Sequence, residues 1–265
     1  MPIKIGNIAV KLPDTIAKVM VGAVLVYQKA VAGITGDLAD DNYSLDVTSI
    51  APTTTGIAIF GNKLFLSNAG ATLHRFTIDA NNELTSDPYS VPITSSDGIA
   101  GFGGEKLFVA IDGGNYIKRY AINASFEVVD DNYSYGVSAQ TSKPKGVAVY
   151  DNKLYLVETS GNTIYRYAID GNSDLLFDNY SLPITWDNPS PYRLAVHGNK
   201  LYVICVNNDN IYRFTINPDY TLTYDSNYLF PVDGYDGSIK GMAVYGDKMF
   251  LSGQYTDAVY RLKIT

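Results

Sequence analysis

Cysteine, histidine, tryptophan and clustered positive charge are what this 265-residue chain has least of, and each shortage removes a class of function. The one cysteine, Cys205, cannot form an internal disulfide. It lies in the apolar run LYVICV, so a buried, inert thiol is expected and not a nucleophile. Two histidines, His74 and His197, add too few ligands for a zinc site, and each falls where sister segments carry Tyr, Phe or Lys. No metal or cofactor is expected. Nucleophile elbow, glycine-rich phosphate loop and dinucleotide fingerprint are all missing. Lys plus Arg is 20 against 27 for Asp plus Glu, a net charge of -7, and no run gathers the basic residues. A phosphate backbone needs clustered cations, so nucleic acid is excluded as a partner. No apolar run approaches the roughly 18 residues of a membrane helix. The opening is broken by Pro13, Asp14 and Lys18, so neither a signal peptide nor a membrane partner is expected.

Repetition is what the chain has in plenty. GVAVYDNKLYLVETSGNTIYRYAID, from Gly146 to Asp170, returns as RLAVHGNKLYVICVNNDNIYRFTIN and is anticipated by GIAGFGGEKLFVAIDGGNYIKRYAIN. Lys63, Lys106, Lys153, Lys200 and Lys248 each open a K-[LM]-[FY] triplet, at steps of 43, 47, 47 and 48. Arg75, Arg119, Arg166, Arg213 and Arg261 keep the same beat, and a DNYS-like marker recurs at Asp41, Asp87, Asp131, Asp178 and Asp225. Each unit holds four segments of β-rich, period-two composition bounded by Gly, Asn and Asp. In the third unit they read as strand A from Gly146 to Tyr150, B from Lys153 to Glu158, C from Thr163 to Ile169 and D from Asn179 to Thr185. Four antiparallel strands in about 45 residues make a blade of a β-propeller, so the fold class is all-β.

The first D segment, Asn42 to Thr48, precedes the first A, and the chain ends with the fifth C. Five blades are therefore expected, with the N-terminal D strand completing the last one. The alternative counts Ile3 to Val31 as a degenerate sixth blade. The preferred division is an attachment and assembly segment over residues 1–36 and a propeller over 37–265.

A residue present in every blade has a packing task that every blade shares, whereas a binding site belongs where blades differ. The five arginines are expected to pair with acidic or carbonyl groups of a neighbouring strand or blade, and the five lysines to form a solvated ring on the short-turn face. DGYDGS at Asp233 to Ser238 and NNDN at Asn207 to Asn210 read as turn chemistry, not calcium loops. The D-to-A and B-to-C loops emerge together on the other face and vary, most of all in TWDNPSPY, which carries the one tryptophan. Loops raised on a rigid scaffold concentrate binding residues. The candidate ligand-binding residues are Trp186, Asp187, Tyr192, Tyr235, Asp236 and Tyr255. Trp186 reads either as a plug between blades or as an aromatic platform.

The pattern G-[IVM]-A-[VI]-x-x-N-K-L-[YF]-[LV] followed by N-x-I-Y-R-[YF]-x-I-[DN] resembles propellers of the NHL and YVTN type, which include binding platforms and enzymes alike. IKIGNIAV at Ile3 to Val10 and KVMVGAVLVYQK at Lys18 to Lys29 resemble the opening of tailed-bacteriophage structural proteins. That likeness implies attachment through Ile3, Ile5, Val19, Val21, Val26 and Tyr27 to other virion proteins. The expected function is a non-enzymatic, homo-oligomeric virion component of tail, fibre or capsid decoration, displaying the propeller to a host-surface glycan or a protein. The alternative is a free-standing bacterial propeller, cytoplasmic or on the cell surface, that binds protein or glycan. An enzyme such as a lactonase or glycan lyase ranks third, because the strand A copies are expected to offer only Gly, Ala, Ile and Val at the ring axis.

Overall fold

In the computed structural model, five four-stranded antiparallel sheets close into a ring. The structure describes residues 35–265 except 95, 187 and 188, together with the strands Ile3–Ile5, Ile8–Val10, Lys18–Val21 and Val24–Gln28. Blade 1 runs A to D as Thr54–Phe60, Lys63–Asn68, Thr72–Ile78 and Leu84–Pro92. Blade 2 is Gly98–Phe102, Lys106–Ile111, Tyr116–Ile122 and Val128–Gly136, and blade 3 is Pro144–Tyr150, Lys153–Glu158, Thr163–Ile169 and Leu175–Pro183. Blade 4 is Pro191–His197, Lys200–Cys205, Asn210–Ile216 and Leu222–Pro231. Blade 5 joins Ile239–Tyr245, Lys248–Gly253 and Ala258–Ile264 to Leu38–Asp46, the D strand from the other end of the chain.

Burial follows strand position. Every B strand is buried from its second residue onward, because neighbouring blades cover both of its faces, and so it reads as a continuous apolar run. Most D strands, at the rim, alternate exposed and half-covered residues. The five A strands touch one another around the axis, where space is scarce. A Cβ on Gly146 would stand 2.7 Å from the Arg193 Cα. Only glycine fits at such a backbone approach.

The repeated charges form one clasp per blade. Arg75, Arg119, Arg166, Arg213 and Arg261 each donate to the aspartate of the adjacent D strand: Asp87, Asp131, Asp178, Asp225 and Asp41. The same guanidinium lies over a D-strand tyrosine, 3.9–4.3 Å from its ring centre. It also donates across the seam to carbonyls of the next blade, as Arg119 does to Ser173 at 2.6 Å. The tyrosine hydroxyl then accepts the first N–H of the next D strand, at 2.9, 2.7, 2.6 and 2.9 Å for Tyr43, Tyr89, Tyr133 and Tyr180. Structural pairing of the arginines was expected. A solvated lysine ring was not found: Lys63, Lys106, Lys153 and Lys248 pair with the clasp aspartates, and Lys200 donates to Thr215. Strand B puts its first residue beside the same carboxylate that C and D share, which the sequence spacing does not reveal.

The DNYS marker lies inside strand D, not before it. Asn42, Asn132 and Asn179 adopt φ of 51°, 61° and 61°, and the C–D register shifts opposite each of them. Asparagine tolerates this left-handed conformation and so hosts a β-bulge that aims the preceding Asp at the arginine. D strands therefore start about four residues earlier than the composition suggests, as Leu175 against the expected Asn179 shows.

Residues 3–28 do not supply a sixth blade. Ile3–Ile5 pairs with Ile8–Val10 and Lys18–Val21 with Val24–Gln28, as two separate two-stranded sheets. Ile3, Ile5, Val19, Val21, Val26 and Tyr27 all fall in these hairpins.

Candidate functional site

One position per blade breaks the uniformity. The residue before the strand A glycine, or before Arg193 in blade 4, is Thr55, Asp97, Lys145, Tyr192 and Lys240 in turn, four residue types over five blades where the D-to-A loops enter the ring. Those loops and the close approach of the A strands bring the five together at one mouth of the axial channel. The Lys145 ammonium donates to Asp97 at 2.8 Å and to Asp112, from the B–C turn of blade 2, at 2.6 Å. From the other side it faces the Tyr192 ring at 5.4 Å, and the Lys240 ammonium lies 4.1 Å from the same ring centre.

Beneath them sits Arg193, which replaces the glycine of the other four blades (Gly56, Gly98, Gly146 and Gly241). Only 3% of its surface is exposed. It donates to the Thr55 carbonyl at 2.7 Å, to the Tyr192 carbonyl at 2.9 Å and to the Lys240 carbonyl. Thr55 belongs to blade 1, so the side chain reaches past blade 5 and spans the axis. Below it the channel holds a cavity of about 130 Å³ lined by Ile57, Ile99, Val147, Leu194 and Met242. The expectation of an axis offering only Gly, Ala, Ile and Val is close for this lower channel, which is wholly apolar but adds Leu194 and Met242, and it fails at the mouth, where blade 4 substitutes an arginine for glycine.

The electrostatics of the mouth follow from incomplete pairing. Lys145 is neutralised by two carboxylates, whereas among the described residues neither Arg193 nor Lys240 has a carboxylate at ion-pairing distance. Burial lowers the Lys240 pKa, and the Arg193 charge lowers it further against the opposing pull of the Tyr192 oxygen. Burial alone would raise the Tyr192 pKa, but Arg193, Lys240 and Lys145 outweigh it and hold the phenol below its ordinary 10. The Asp209 carboxyl is raised by burial and by the charges of Asp233 and Asp236, against the opposing attraction of Lys240. The mouth thus gathers three cations, Lys145, Arg193 and Lys240, against Asp97 and Asp112, on a chain of net charge -7.

The six expected ligand residues separate in space. Tyr192 is at the mouth. Trp186 is half-buried at the outer seam between blades 3 and 4, stacked on Tyr224 at 4.4 Å and tilted against Tyr212 at 4.9 Å. Tyr235 takes the matching place between blades 4 and 5, edge-on to Tyr260 at 5.5 Å. Asp236 is buried, accepting the N–H groups of Ser238, Tyr255 and Thr256 and so tying two loops of blade 5. Tyr255 is 76% exposed. Asp187 lies outside the described residues. Lys145, Lys240, Arg193 and Asp112 were not singled out from sequence; the signal was the single break in the glycine column at Arg193. Cys205 is buried in strand B of blade 4, its thiol pushed up to about 12 by desolvation.

No helix among the described residues is long and apolar enough to cross a membrane. No family model and no curated protein matches the chain. Solved structures do match. Myxococcus xanthus glutaminyl cyclase aligns with a TM-score of 0.62 at 12% identity, covering 86% of this chain and 97% of that one. A functionally unknown protein from Desulfotomaculum acetoxidans gives 0.53 at 16% identity over 77% of this chain and 66% of that one. Virginiamycin B lyase from Staphylococcus aureus gives 0.50 at 12% identity over 84% and 99%. At such identity the likeness concerns the fold: the chain is a five-bladed β-propeller.

Proposed function

We propose that the protein is a non-enzymatic binding module whose channel mouth takes the carboxylate of an acidic glycan. The observation that carries this reading is the pair of cations, Arg193 and Lys240, without a carboxylate at ion-pairing distance among the described residues, beside the Tyr192 phenol. A ligand carboxylate at the mouth accepts hydrogen bonds from the Lys240 ammonium and the Tyr192 hydroxyl, with Arg193 contributing its charge from below. Charge-assisted bonds of this kind are worth about 1.5–3 kcal/mol each. Tyr255, exposed on the loop that Asp236 ties beside Lys240, offers an aromatic face to the sugar ring.

Titration calorimetry with glucuronate-containing and neutral oligosaccharides tests the reading. Acidic sugars should bind, with affinity reduced tenfold or more in Lys240→Ala and reduced several-fold in Tyr192→Phe. Equal binding of neutral sugars, or an unaltered affinity in Lys240→Ala, would refute it.

The segment before the ring supports a second reading, carriage on a tailed-phage particle. Its support is the wording of residues 3–29 alone, together with the two hairpins that those residues form. Removal of residues 1–36 should convert an oligomer to a monomer at unchanged melting temperature, measured by light scattering and thermal unfolding. A monomeric full-length protein counts against it, and so does its absence from purified particles.

A further inference from the structure

A slot at the rim between blades 1 and 2 matches the one that Trp186 fills between blades 3 and 4. Trp186 rests on Tyr212, Phe214 and Tyr224. Aligned on the clasp arginine of strand C, Tyr212 and Phe214 correspond to Lys118 and Tyr120. Phe214 pairs across the sheet with Tyr224 as Tyr120 pairs with Asp130, so the third floor residue corresponds to Asp130. In sequence, counted from the proline that ends strand D (Pro183 and Pro92), the place of Trp186 is taken by a serine, Ser95. Where the indole packs two seams away, blades 1 and 2 leave a groove of about 530 Å³ lined by Lys118, Tyr120 and Asp130 with Val91, Val128 and Val129.

The groove has ordered polar walls. Lys118 and Asp130 pair at 2.7 Å. The Tyr120 hydroxyl accepts the Thr94 N–H at 2.9 Å and lies 3.2 Å from the Thr94 hydroxyl. Val129, 54% exposed, leaves an apolar wall open to solvent. The equivalent slot between blades 4 and 5 also holds a ring, that of Tyr235, against Tyr260. Two seams of this molecule thus use the slot for an aromatic side chain supplied by the chain itself.

We propose that the slot between blades 1 and 2 receives an aromatic side chain, of the size and shape of tryptophan, from a partner protein. The groove reproduces the backbone frame of a slot that an indole occupies in the same fold. Its Lys118–Asp130 pair supplies a cation and an anion at the rim, suited to a peptide segment that carries the ring. The inference is independent of the channel mouth, which lies at the axis and not at the rim.

The test uses the full chain with methyl-labelled valine, leucine and isoleucine, titrated with N-acetyl-L-tryptophanamide and followed by NMR. Shifts should appear at Val91, Ile93, Val128 and Val129 and saturate. In Val129→Glu, which changes an exposed residue, the affinity should fall about tenfold, the scale of one lost apolar side-chain contact. In Trp186→Ala a second set of shifts should appear at Leu182 and Ile184, as the probe enters the vacated slot. No shift at the four methyl groups up to the solubility limit of the probe would overturn the proposal. So would shifts produced by methyl glucoside and not by the tryptophan amide, which would make the groove a sugar site.

Discussion

The clasp and the mouth use the same kinds of residue to opposite ends. In the clasp, lysine, arginine, aspartate and tyrosine recur in nearly every blade and satisfy one another: the aspartate serves two cations, and the arginine spends its remaining donors on the next blade. At the mouth, lysine, arginine, aspartate and tyrosine occur once or twice each, and the sum is unbalanced. Repetition allows a charge network to close on itself, whereas at the varied position Lys240, and Arg193 beneath it, find no carboxylate at ion-pairing distance among the described residues. The difference teaches where to look in a repeat protein: at the columns in which the repeats disagree while the backbone beneath them does not.

The largest expected effect comes from breaking the clasp. Asp131→Ala removes the carboxylate that Arg119 and Lys106 share, leaving Arg119 with Asp174 as its one carboxylate among the described residues. Loss of one partner from such a network costs about 3–5 kcal/mol, and chemical denaturation should report a value near the lower end because the site touches solvent. Trp186→Ala should cost roughly 2–3 kcal/mol, below the range for a fully buried ring because this one is half-covered. Equal stability of wild type and variant would mean that the stacking on Tyr224 contributes nothing.

Acid should act next, and on the clasp first. The Arg75 guanidinium and Lys63 hold the Asp87 carboxyl down at about 2, against the opposing cost of burial. For Asp41 and Asp131 burial is the largest influence and raises the pKa, but their arginine and lysine partners outweigh it and the net direction is downward. A carboxyl with a folded pKa below its unfolded value of about 3.9 stabilises the fold fully above that value, and the contribution is lost as pH falls toward the folded pKa. Unfolding free energy should therefore be flat from pH 7 to about 4.5 and fall steeply from about 4 to 2. A decline that begins near pH 6 would point to other groups. The smallest effect on stability belongs to the mouth: Lys240→Ala should stay within about 0.5 kcal/mol of wild type, since among the described residues the ammonium has no ion-pair partner to lose.

The ring was legible because its signals are local and repeated. The Lys and Arg beats, with a D segment ahead of the first A, led to five blades and to the strand that joins both ends. Strand D was placed late because a bulge at Asp-Asn looks like a turn in sequence; only the pairing of Leu175 with Ile169 shows the strand already running. The mouth was only partly legible. Tyr192 stood out as an aromatic in an irregular loop, but its partners Lys145 and Lys240 lie one blade away on either side, and neither residue is unusual in its own loop. Which side chains meet across an axis depends on the closure of the ring, and no spacing within a single blade encodes it. Trp186 shows the reverse: the most conspicuous residue of the sequence packs into a seam.

The most direct measurement is a ¹³C NMR pH titration of protein labelled at tyrosine Cζ, with and without glucuronate. If Arg193 and Lys240 surround the Tyr192 phenol as unpaired cations, Tyr192 ionises below 10 in the free protein. It should then rise when a bound carboxylate neutralises those charges. A Tyr192 that titrates at or above 10 and ignores glucuronate would contradict the account.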